Sequence, residues 1–284
     1  MKPQNGQEIA AERIDRCLHD GMTSLDLSGL FLSSVPESLR ALTHLTALDL
    51  SGNVLAGLPG WFEDLTALTR LDLSRNELTA LPESFGGLTA LTELRLGYNR
   101  LTVVPEGLGS LPALTVLDLR SNRLTTLPES PGEFPALTVL DLSGNRLADL
   151  PEPWTGLSAL TVLDLSYNRR LTALPPLDGL TALRWLNLSS NRFTVLPEGL
   201  TTLPALAVLD LSHNKLVTFP ESLRTLTTLT TLDLCHIGLT ALPESSEGFS
   251  ALTELDIRGN RLTALPTWRR DIRVETNFGS HYPF

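Results

Sequence analysis

The stretch LTRLDLSRNELTALPESFGGLTA, Leu68–Ala90, decides the fold, because the chain repeats it along almost its whole length. In blocks of 23 residues, the sequence follows the template LxxLxLxxNxLxxLPxxLxxLxx through eleven consecutive blocks, with positions numbered 1 to 23. The blocks start at Met22, Leu45, Leu68, Leu91, Leu114, Leu137, Leu160, Leu183, Leu206, Leu229 and Leu252. Such a period indicates a solenoid, in which each unit buries its leucines only by stacking on its neighbours.

The parts of the unit predict how one coil is built. The alternation LxxLxL predicts a short strand with inward leucines, so that strands of successive units stack in parallel. The asparagine at position 9, Asn76 in this unit, turns the chain out of the strand. Its inward amide is expected to bond the backbone of neighbouring turns, whose buried N–H and C=O groups need partners. The LPE segment predicts a short helix or 3₁₀ turn.

Both ends of a solenoid need a cap, because a terminal repeat would expose leucine to water. A helix over residues 7–20 is predicted to cover the first coil and to stop at Gly21. Its apolar residues, at helical spacing, are Ala10, Ile14, Cys17 and Leu18. The C-terminal stretch LPTWRRDIRVETN is a shortened unit, and FGSHYPF is expected to pack over the open end. In that unit Trp268 replaces a leucine, Ile272 and Val274 are the predicted inward residues, and Asn277 is the asparagine.

With this spacing the chain resembles the leucine-rich repeat family, specifically the 23-residue class of Ras-suppressor-like proteins, plant intracellular Ras-group-related proteins and bacterial relatives. The resemblance covers Met22 to about Asn277. It implies an α/β fold, a right-handed curved solenoid (horseshoe) with a concave parallel sheet, and a usual role in protein recognition. The run from the capping helix into TSLDLSGL is similar to the cap of bacterial Roco-type proteins, whose GTPase motif GxxxxGK[ST] does not occur in this sequence.

This reading divides the chain into three segments. Residues 1–21 are expected to form the N-terminal capping helix, and residues 22–274 the eleven repeats, the last of them truncated at about 268. Residues 269–284 are expected to form a half-repeat, which resembles the shorter 20-residue bacterial type, and the C-terminal cap.

The composition limits the classes of binding partner and the cellular location that the chain is expected to have. The formal charge of −10 argues against non-specific binding to nucleic acid or to anionic membranes. No apolar run has signal-peptide or membrane-spanning length, and the two cysteines, Cys17 and Cys235, form no paired framework. We therefore expect a reduced, cytoplasmic monomer, with leaderless export left open. Its basic residues are almost all arginine, which is typical of a GC-rich genome such as many bacteria have.

One unit is irregular. In LSYNRRLTALPPLDGL an extra residue follows Asn168 and one is lost after Pro175, which predicts a local bulge at Arg169–Arg170. Bulges often lie beside functional surfaces. A repaired replication slip explains the same pattern, and the sequence does not separate the two.

Two charged columns follow the repeat. Position 5 carries nine aspartates, which we expect as a ladder in water, with neighbouring pairs repelling by about 1 kcal/mol. Paired carboxylates suit acid–base chemistry or cation binding, but LDLSxN is also the common spelling of such repeats. Position 10 carries a basic column, expected along one rim, which is either a docking surface or a solvated stripe: Arg100, Arg123, Arg146, Arg169, Arg192, Lys215 and Arg261.

An apolar stripe interrupts the polar face. Position 3 is Val116, Val139, Val162, Trp185 and Val208 in five successive units, with Tyr167 predicted close by. Exposed apolar stripes with an aromatic centre are typical of protein interfaces. The β-propensity of valine explains the valines but not Trp185. Preceding units add a candidate polar part, which drift on a solvated surface also explains: Arg70, Arg75, Glu93, Arg95, Tyr98 and Arg120.

The stretch LDLCHIGLT, Leu232–Thr240, places Cys235 beside His236, and His213 is expected within about 5 Å of His236 in the preceding unit. A site with two histidines and one cysteine is geometrically conceivable, but two coincident substitutions on a tolerant surface explain the same residues. Ile237 replaces the asparagine here and is expected to weaken the local order.

No HExxH, GxSxG or phosphate-loop motif occurs. We therefore predict a non-catalytic scaffold, without cofactor or metal, that binds a partner protein through its concave face. One alternative is a structural or regulatory remnant of a larger signalling or effector protein. A second is a metal or hydrolytic site near His213, Cys235 and His236.

Overall fold

The computed structural model describes residues 5–128, 134–151, 154–263, 268 and 272–275. Within these ranges 12 short strands form one open, curved parallel sheet in chain order, which confirms the predicted solenoid. The strands are β1 (Ser24–Asp26), β2 (Ala47–Asp49), β3 (Arg70–Asp72), β4 (Glu93–Arg95), β5 (Val116–Asp118), β6 (Val139–Asp141), β7 (Val162–Asp164), β8 (Trp185–Asn187), β9 (Val208–Asp210), β10 (Thr231–Asp233), β11 (Glu254–Asp256) and β12 (Arg273–Glu275).

The sheet keeps the period of the sequence. Leu71 of β3 lies opposite Leu94 of β4, which is the same position one unit later. The central leucine of each repeat strand is buried, while its two neighbours point to the concave face and keep different degrees of exposure. In the last pair Leu255 lies opposite Val274, because the final unit is shorter.

On the opposite side of the solenoid, seven coils contain a 3₁₀ turn among the described residues. Where a proline precedes the turn, as at Pro82 and Pro105, it has extended backbone and the turn begins at the following residue. The middle residue of these turns, such as Phe85 or Leu108, is buried against the leucine core. The 3₁₀ segments are Glu37–Ala41, Gly60–Asp64, Glu83–Gly87, Glu106–Ser110, Thr155–Leu157, Glu198–Thr202 and Glu221–Thr225.

The asparagines form the predicted ladder. The side chain of Asn99 donates from Nδ2 to the carbonyl oxygens of Leu73 and Leu96, both at 2.9 Å. Its Oδ1 accepts the backbone N–H of Leu78 at 3.0 Å. Leu73 and Leu78 belong to the preceding coil, so one buried amide joins two coils.

The ladder is incomplete at Asn191. Its Nδ2 donates to Leu165 and Leu188 at 2.9 Å, but its buried Oδ1 has no partner among the described residues. In regular units the donor lies 21 residues earlier, as for Leu147 and Asn168. The extra residue after Asn168 forms an additional turn at residues 169–170 and displaces that donor.

The ladder is also interrupted at Ile237, which is fully buried in place of an asparagine. The loop of the preceding coil is distorted at this point: Val217 has a φ of 37° and is 58% exposed. A β-branched residue at positive φ is a conformational outlier, so the expected local cost of the missing amide is visible in the backbone.

The N-terminal helix α1, Gly6–Asp20, is closed at both ends. Asn5 and Glu8 form a capping box, and Gly21 ends the helix in the left-handed conformation, with a φ of 62°. Ala10, Ile14 and Cys17 are buried, but Leu18 is 51% exposed, so its assignment to the apolar side was wrong. One residue step turns an α-helix by about 100°, which carries Leu18 away from the contact made by Cys17.

At the C-terminal end Ile272 is buried as predicted, whereas Val274 is 49% exposed. Val274 pairs with the inward Leu255, as its inward assignment predicts, but its expected burial was wrong, because β12 is the last strand and no further coil covers it among the described residues. Trp268 is half-buried, donates from Nε1 to the carbonyl oxygen of Pro243 at 2.7 Å and stacks on Phe249. The predicted roles of Asn277 and FGSHYPF lie outside the described residues.

Two asparagine variants test the ladder. Asn99→Ala and Asn191→Ala create the same cavity, and in both the leucine carbonyls keep a second asparagine donor. Only Asn99→Ala leaves a buried N–H, that of Leu78, without an acceptor. Urea unfolding should show that Asn99→Ala costs about 1–3 kcal/mol more than Asn191→Ala. Equal costs would mean that the Oδ1 bond contributes nothing.

Candidate protein-binding face

The predicted apolar stripe is one continuous lane across the sheet. Strand pairing places Arg70, Glu93, Val116, Val139, Val162, Trp185 and Val208 side by side as successive partners. From Glu93 onward these side chains are half-buried, so the lane is less exposed than a flat surface stripe would be. Neighbouring lane residues lie about 4.8 Å apart across the sheet.

The polar end of the lane is an ion-pair network. The carboxylate of Glu93 forms ion pairs with the guanidinium groups of Arg70 at 3.0 Å and Arg95 at 2.6 Å. The guanidinium of Arg95 also lies 4.0 Å from the carboxylate of Asp72. These residues line a shallow concave pocket of about 330 Å³, together with Asp26 and Asp49. The side chains of Arg70 and Arg95 are 70% and 52% exposed, so the network leaves these two cations accessible to a partner.

Tyr98 adds an aromatic group beside this network. Its ring lies between two guanidinium groups, 5.2 Å from that of Arg75 and 5.6 Å from that of Arg120. The ring is 47% exposed, and Arg120 is held in turn by Asp118 at 3.2 Å. Cation–π contacts of this kind fix the tyrosine in an orientation that keeps one part of it accessible.

Position 8 has a backbone constraint that the sequence analysis missed. All eleven residues at this position are left-handed, with φ between 52° and 67°. They are Gly29, Gly52, Arg75, Tyr98, Ser121, Gly144, Tyr167, Ser190, His213, His236 and Gly259. The glycines in the same register were the signal for it. Position 8 is therefore constrained by its backbone, and Tyr98 and Tyr167 lie there, about half exposed, in a conformation that disfavours residues with a side chain.

We expect Tyr167→Gly to raise the free energy of unfolding by about 0.5–1 kcal/mol, because glycine adopts positive φ without a Cβ clash. The reverse change, Gly52→Ala, should lower it by a similar amount, although a Cβ there meets only ordinary contacts. Thermal unfolding measures both. Destabilisation by Tyr167→Gly would show that the ring makes stabilising contacts that outweigh the backbone strain.

The aspartate column has a structural role. Each of these side chains accepts the backbone N–H two residues later, as Asp49 does from Ser51 at 2.8 Å and Asp164 from Ser166 at 2.8 Å. Asn187, in the same column, accepts from Ser189 at 2.9 Å. The bond closes the turn that follows each strand, which favours the plainer interpretation of LDLSxN over acid–base chemistry.

The aspartates do not all form the expected ladder in water, because several of them are buried. Asp118, Asp141 and Asp164 are buried on the concave floor, and Asp233 is half-buried. Burial raises the pKa of Asp118 to about 6 and the pKa of Asp164 and Asp233 to about 7. The sequence-based expectation was wrong because the lane side chains and the curvature of the sheet exclude water that an isolated strand would admit.

A raised carboxyl pKa makes the fold less stable as pH rises from the unfolded value of about 4 towards the folded value. Asp164→Asn should therefore stabilise the protein at pH 8, by about 4 kcal/mol at most, and have little effect at pH 4. Asn187 shows that an amide fits this column. Asp26→Asn is the matched control, since hydrogen bonding to Ser28 lowers the pKa of exposed Asp26. Unfolding of both variants at the two pH values checks this, and a gain that is independent of pH would contradict it.

The residues around Cys235 separate into two groups. The rings of His213 and His236 are exposed and stacked at 4.7 Å, as the register predicts. Cys235 instead lies with Asp233 and Asp256, whose ligand atoms are all within 4.8 Å of one another. The two-histidine, one-cysteine site is thus not assembled. Arg258 donates to Asp256 at 2.5 Å, and burial, then Asp233, raises the pKa of the Cys235 thiol to about 12.

The described helices are each too short or too polar to cross a bilayer.

Comparison with known proteins matches the chain to the profile described as Leucine rich repeat, at residues 58–101, 89–147, 135–193, 181–236 and 204–262. A second profile, Leucine Rich repeat, matches residues 41–57. No curated protein sequence matches the chain.

Several solved structures are similar to this one. A leucine-rich repeat protein of Leptospira interrogans is 30% identical with a TM-score of 0.66, over 94% of this chain and 78% of that one. The leucine-rich repeat domain of APL1B is 26% identical with a TM-score of 0.77, over 94% and 77%. YopM, a leucine-rich effector protein from Yersinia pestis, is 29% identical with a TM-score of 0.67, over 93% and 75%.

Proposed function

Because the chain belongs to the leucine-rich repeat family, whose repeats commonly act as protein-interaction scaffolds, we propose that it is a non-catalytic recognition protein that binds a partner protein through its concave face. The observation that carries the proposal is the lane of Val116, Val139, Val162 and Trp185, which places partly accessible apolar side chains side by side on an otherwise polar sheet.

The surroundings of the lane support this choice of face. Trp185 and the valines supply an apolar centre, and interface hot spots are enriched in tryptophan, tyrosine and arginine. Tyr98 and Tyr167 keep exposed rings at left-handed positions where four other repeats have glycine. Retaining strained residues on one face is the pattern expected when the side chain serves recognition.

The charges beside the lane indicate what the partner presents. Towards the N-terminal end it meets Arg70, Glu93, Arg95 and Arg120, so its surface carries both signs there. Over the centre it lies above Asp141 and Asp164, and Arg120 lies 4.0 Å from Asp141. Basic or hydrogen-bond-donating groups of the partner would offset this buried negative charge.

Finer points of classification stay predictions. They are the 23-residue class, the Roco-like cap and the division into capping helix, repeats and C-terminal cap. The same holds for a cytoplasmic, monomeric protein of bacterial origin that binds no nucleic acid.

The alternative of a remnant of a larger signalling or effector protein draws on the similarity to the effector YopM. In that case the concave face has no dedicated partner.

The test is binding by charged lane variants. Partners captured by the wild-type protein are identified by mass spectrometry, and their affinity for Trp185→Asp and Val162→Asp is then measured. A hot-spot contribution of about 2 kcal/mol predicts that binding weakens about 30-fold. Val103→Asp, at an exposed valine outside the strands, is the control and should bind normally. Capture that is unchanged in both lane variants would favour the remnant alternative.

Metal analysis tests the remaining alternative. Elemental analysis of the purified protein should find no stoichiometric zinc, because the two imidazoles stack on each other apart from Cys235 and Arg258 already neutralises Asp256. Stoichiometric zinc that is lost in Cys235→Ser would overturn this expectation.

A further inference from the structure

The irregular seventh repeat opens a groove on the side away from the sheet. The coil between β7 and β8 has lost one residue after Pro175 and contains no 3₁₀ turn. Its segment instead approaches Gly199 of the next coil so closely that a Cβ there would lie 2.9 Å from the backbone nitrogen of Leu177. Between the two coils lies an open groove of about 430 Å³.

The groove is apolar. Its walls include Leu174, Pro176, Val195, Leu196 and Pro197, and Val195 is 69% exposed. An exposed valine beside an apolar depression of this volume is the form of site that receives one or two apolar side chains of a ligand. Among the lining residues whose side chains the structure describes, the charged one is Asp178.

Cationic residues border the groove along the chain. Arg170 comes two residues before Thr172 of the lining, and Arg192 comes three residues before Val195. The Cα atom of each arginine therefore lies at most about 7–11 Å from the Cα atom of that lining residue. The two segments are adjacent, since the N–H of Arg192 donates to the carbonyl oxygen of Leu171 at 3.0 Å. Arg169, Arg170 and Arg192 are exposed and form no ion pair with any described residue.

The irregularity also has a structural cost. The extra residue that supplies Arg169–Arg170 leaves Oδ1 of Asn191 buried without a partner among the described residues. A buried unsatisfied acceptor costs about 1–3 kcal/mol. One insertion and one loss in the same unit thus add an unpaired cation, open a groove and weaken the ladder between the same two coils.

We propose that this groove and the arginines beside it form a second interaction site, separate from the concave face, for an acidic polypeptide segment that carries apolar anchor residues. The three unpaired arginines fit glutamate or aspartate side chains, and the groove fits the anchors. A nucleic acid fits less well, because it has no aliphatic group for the groove and would bring phosphates towards Asp178 in a chain of charge −10.

The test uses a short fluorescein-labelled peptide in which a leucine pair is flanked by glutamates, with binding followed by anisotropy on the full chain. Val195→Asp, and separately the pair Arg170→Glu and Arg192→Glu, should weaken binding about tenfold or more. Asp178→Asn should strengthen it several-fold, because it removes a carboxylate that repels the acidic peptide from the described lining of the groove. A leucine-to-serine peptide and an oligonucleotide of equal charge should each bind about tenfold more weakly.

Matched controls separate this site from general electrostatics and from the concave face. Arg123→Glu changes the same charge in the same rim column three coils away, and Val103→Asp changes another exposed valine; both should bind like the wild type. Trp185→Asp should also bind like the wild type. Loss of peptide binding in Trp185→Asp would place the peptide on the concave face and overturn the proposal. The proposal would also be overturned if the wild-type protein did not bind the peptide, if Arg123→Glu weakened binding as much as the arginine pair does, or if the oligonucleotide bound as tightly as the peptide.

Discussion

The buried asparagine amide is the interaction on which the solenoid depends. A coil of 23 residues makes a tight turn inside the leucine core, and that turn carries backbone groups that water cannot reach. One asparagine side chain forms hydrogen bonds with the backbone of both coils that it joins. Asn99 accepts the N–H of Leu78 and donates to the carbonyl oxygens of Leu73 and Leu96. Because the same amide contacts two coils, a regular period becomes a structural requirement, and each deviation has a visible local effect.

The repeat positions that the asparagine ladder fixes explain how much of the fold could be predicted from the sequence. Leucine spacing, the asparagine and the LPE segment determine strand, turn and 3₁₀ segment, and each depends only on local pattern and burial. The wrong predictions concern residues whose burial depends on neighbouring segments. Leu18 and Val274 are apolar residues at an end, whose burial depends on what lies next to them, and the sequence does not contain that information.

The candidate site shows the same division. Register alone places Arg70, Glu93 and the valines in one lane, because a parallel sheet with a fixed period transfers sequence position directly to space. Burial of Asp164 and the left-handed backbone of Tyr167 were not predicted. The first arises from curvature and crowding over many strands. The second was encoded in glycines of other units and becomes apparent only when position 8 is compared across all repeats.

The seventh repeat is the unit whose irregularity is most readily explained by a function. A repaired slip explains why the period recovers at Leu183, but it does not explain why the one added residue makes a pair of exposed arginines that form no ion pair with any described residue. The slip leaves a buried acceptor unsatisfied at Asn191, which costs about 1–3 kcal/mol. Its retention is better explained if the groove and cations that it creates are used, because a cost in the ladder is then offset by a contact made outside it.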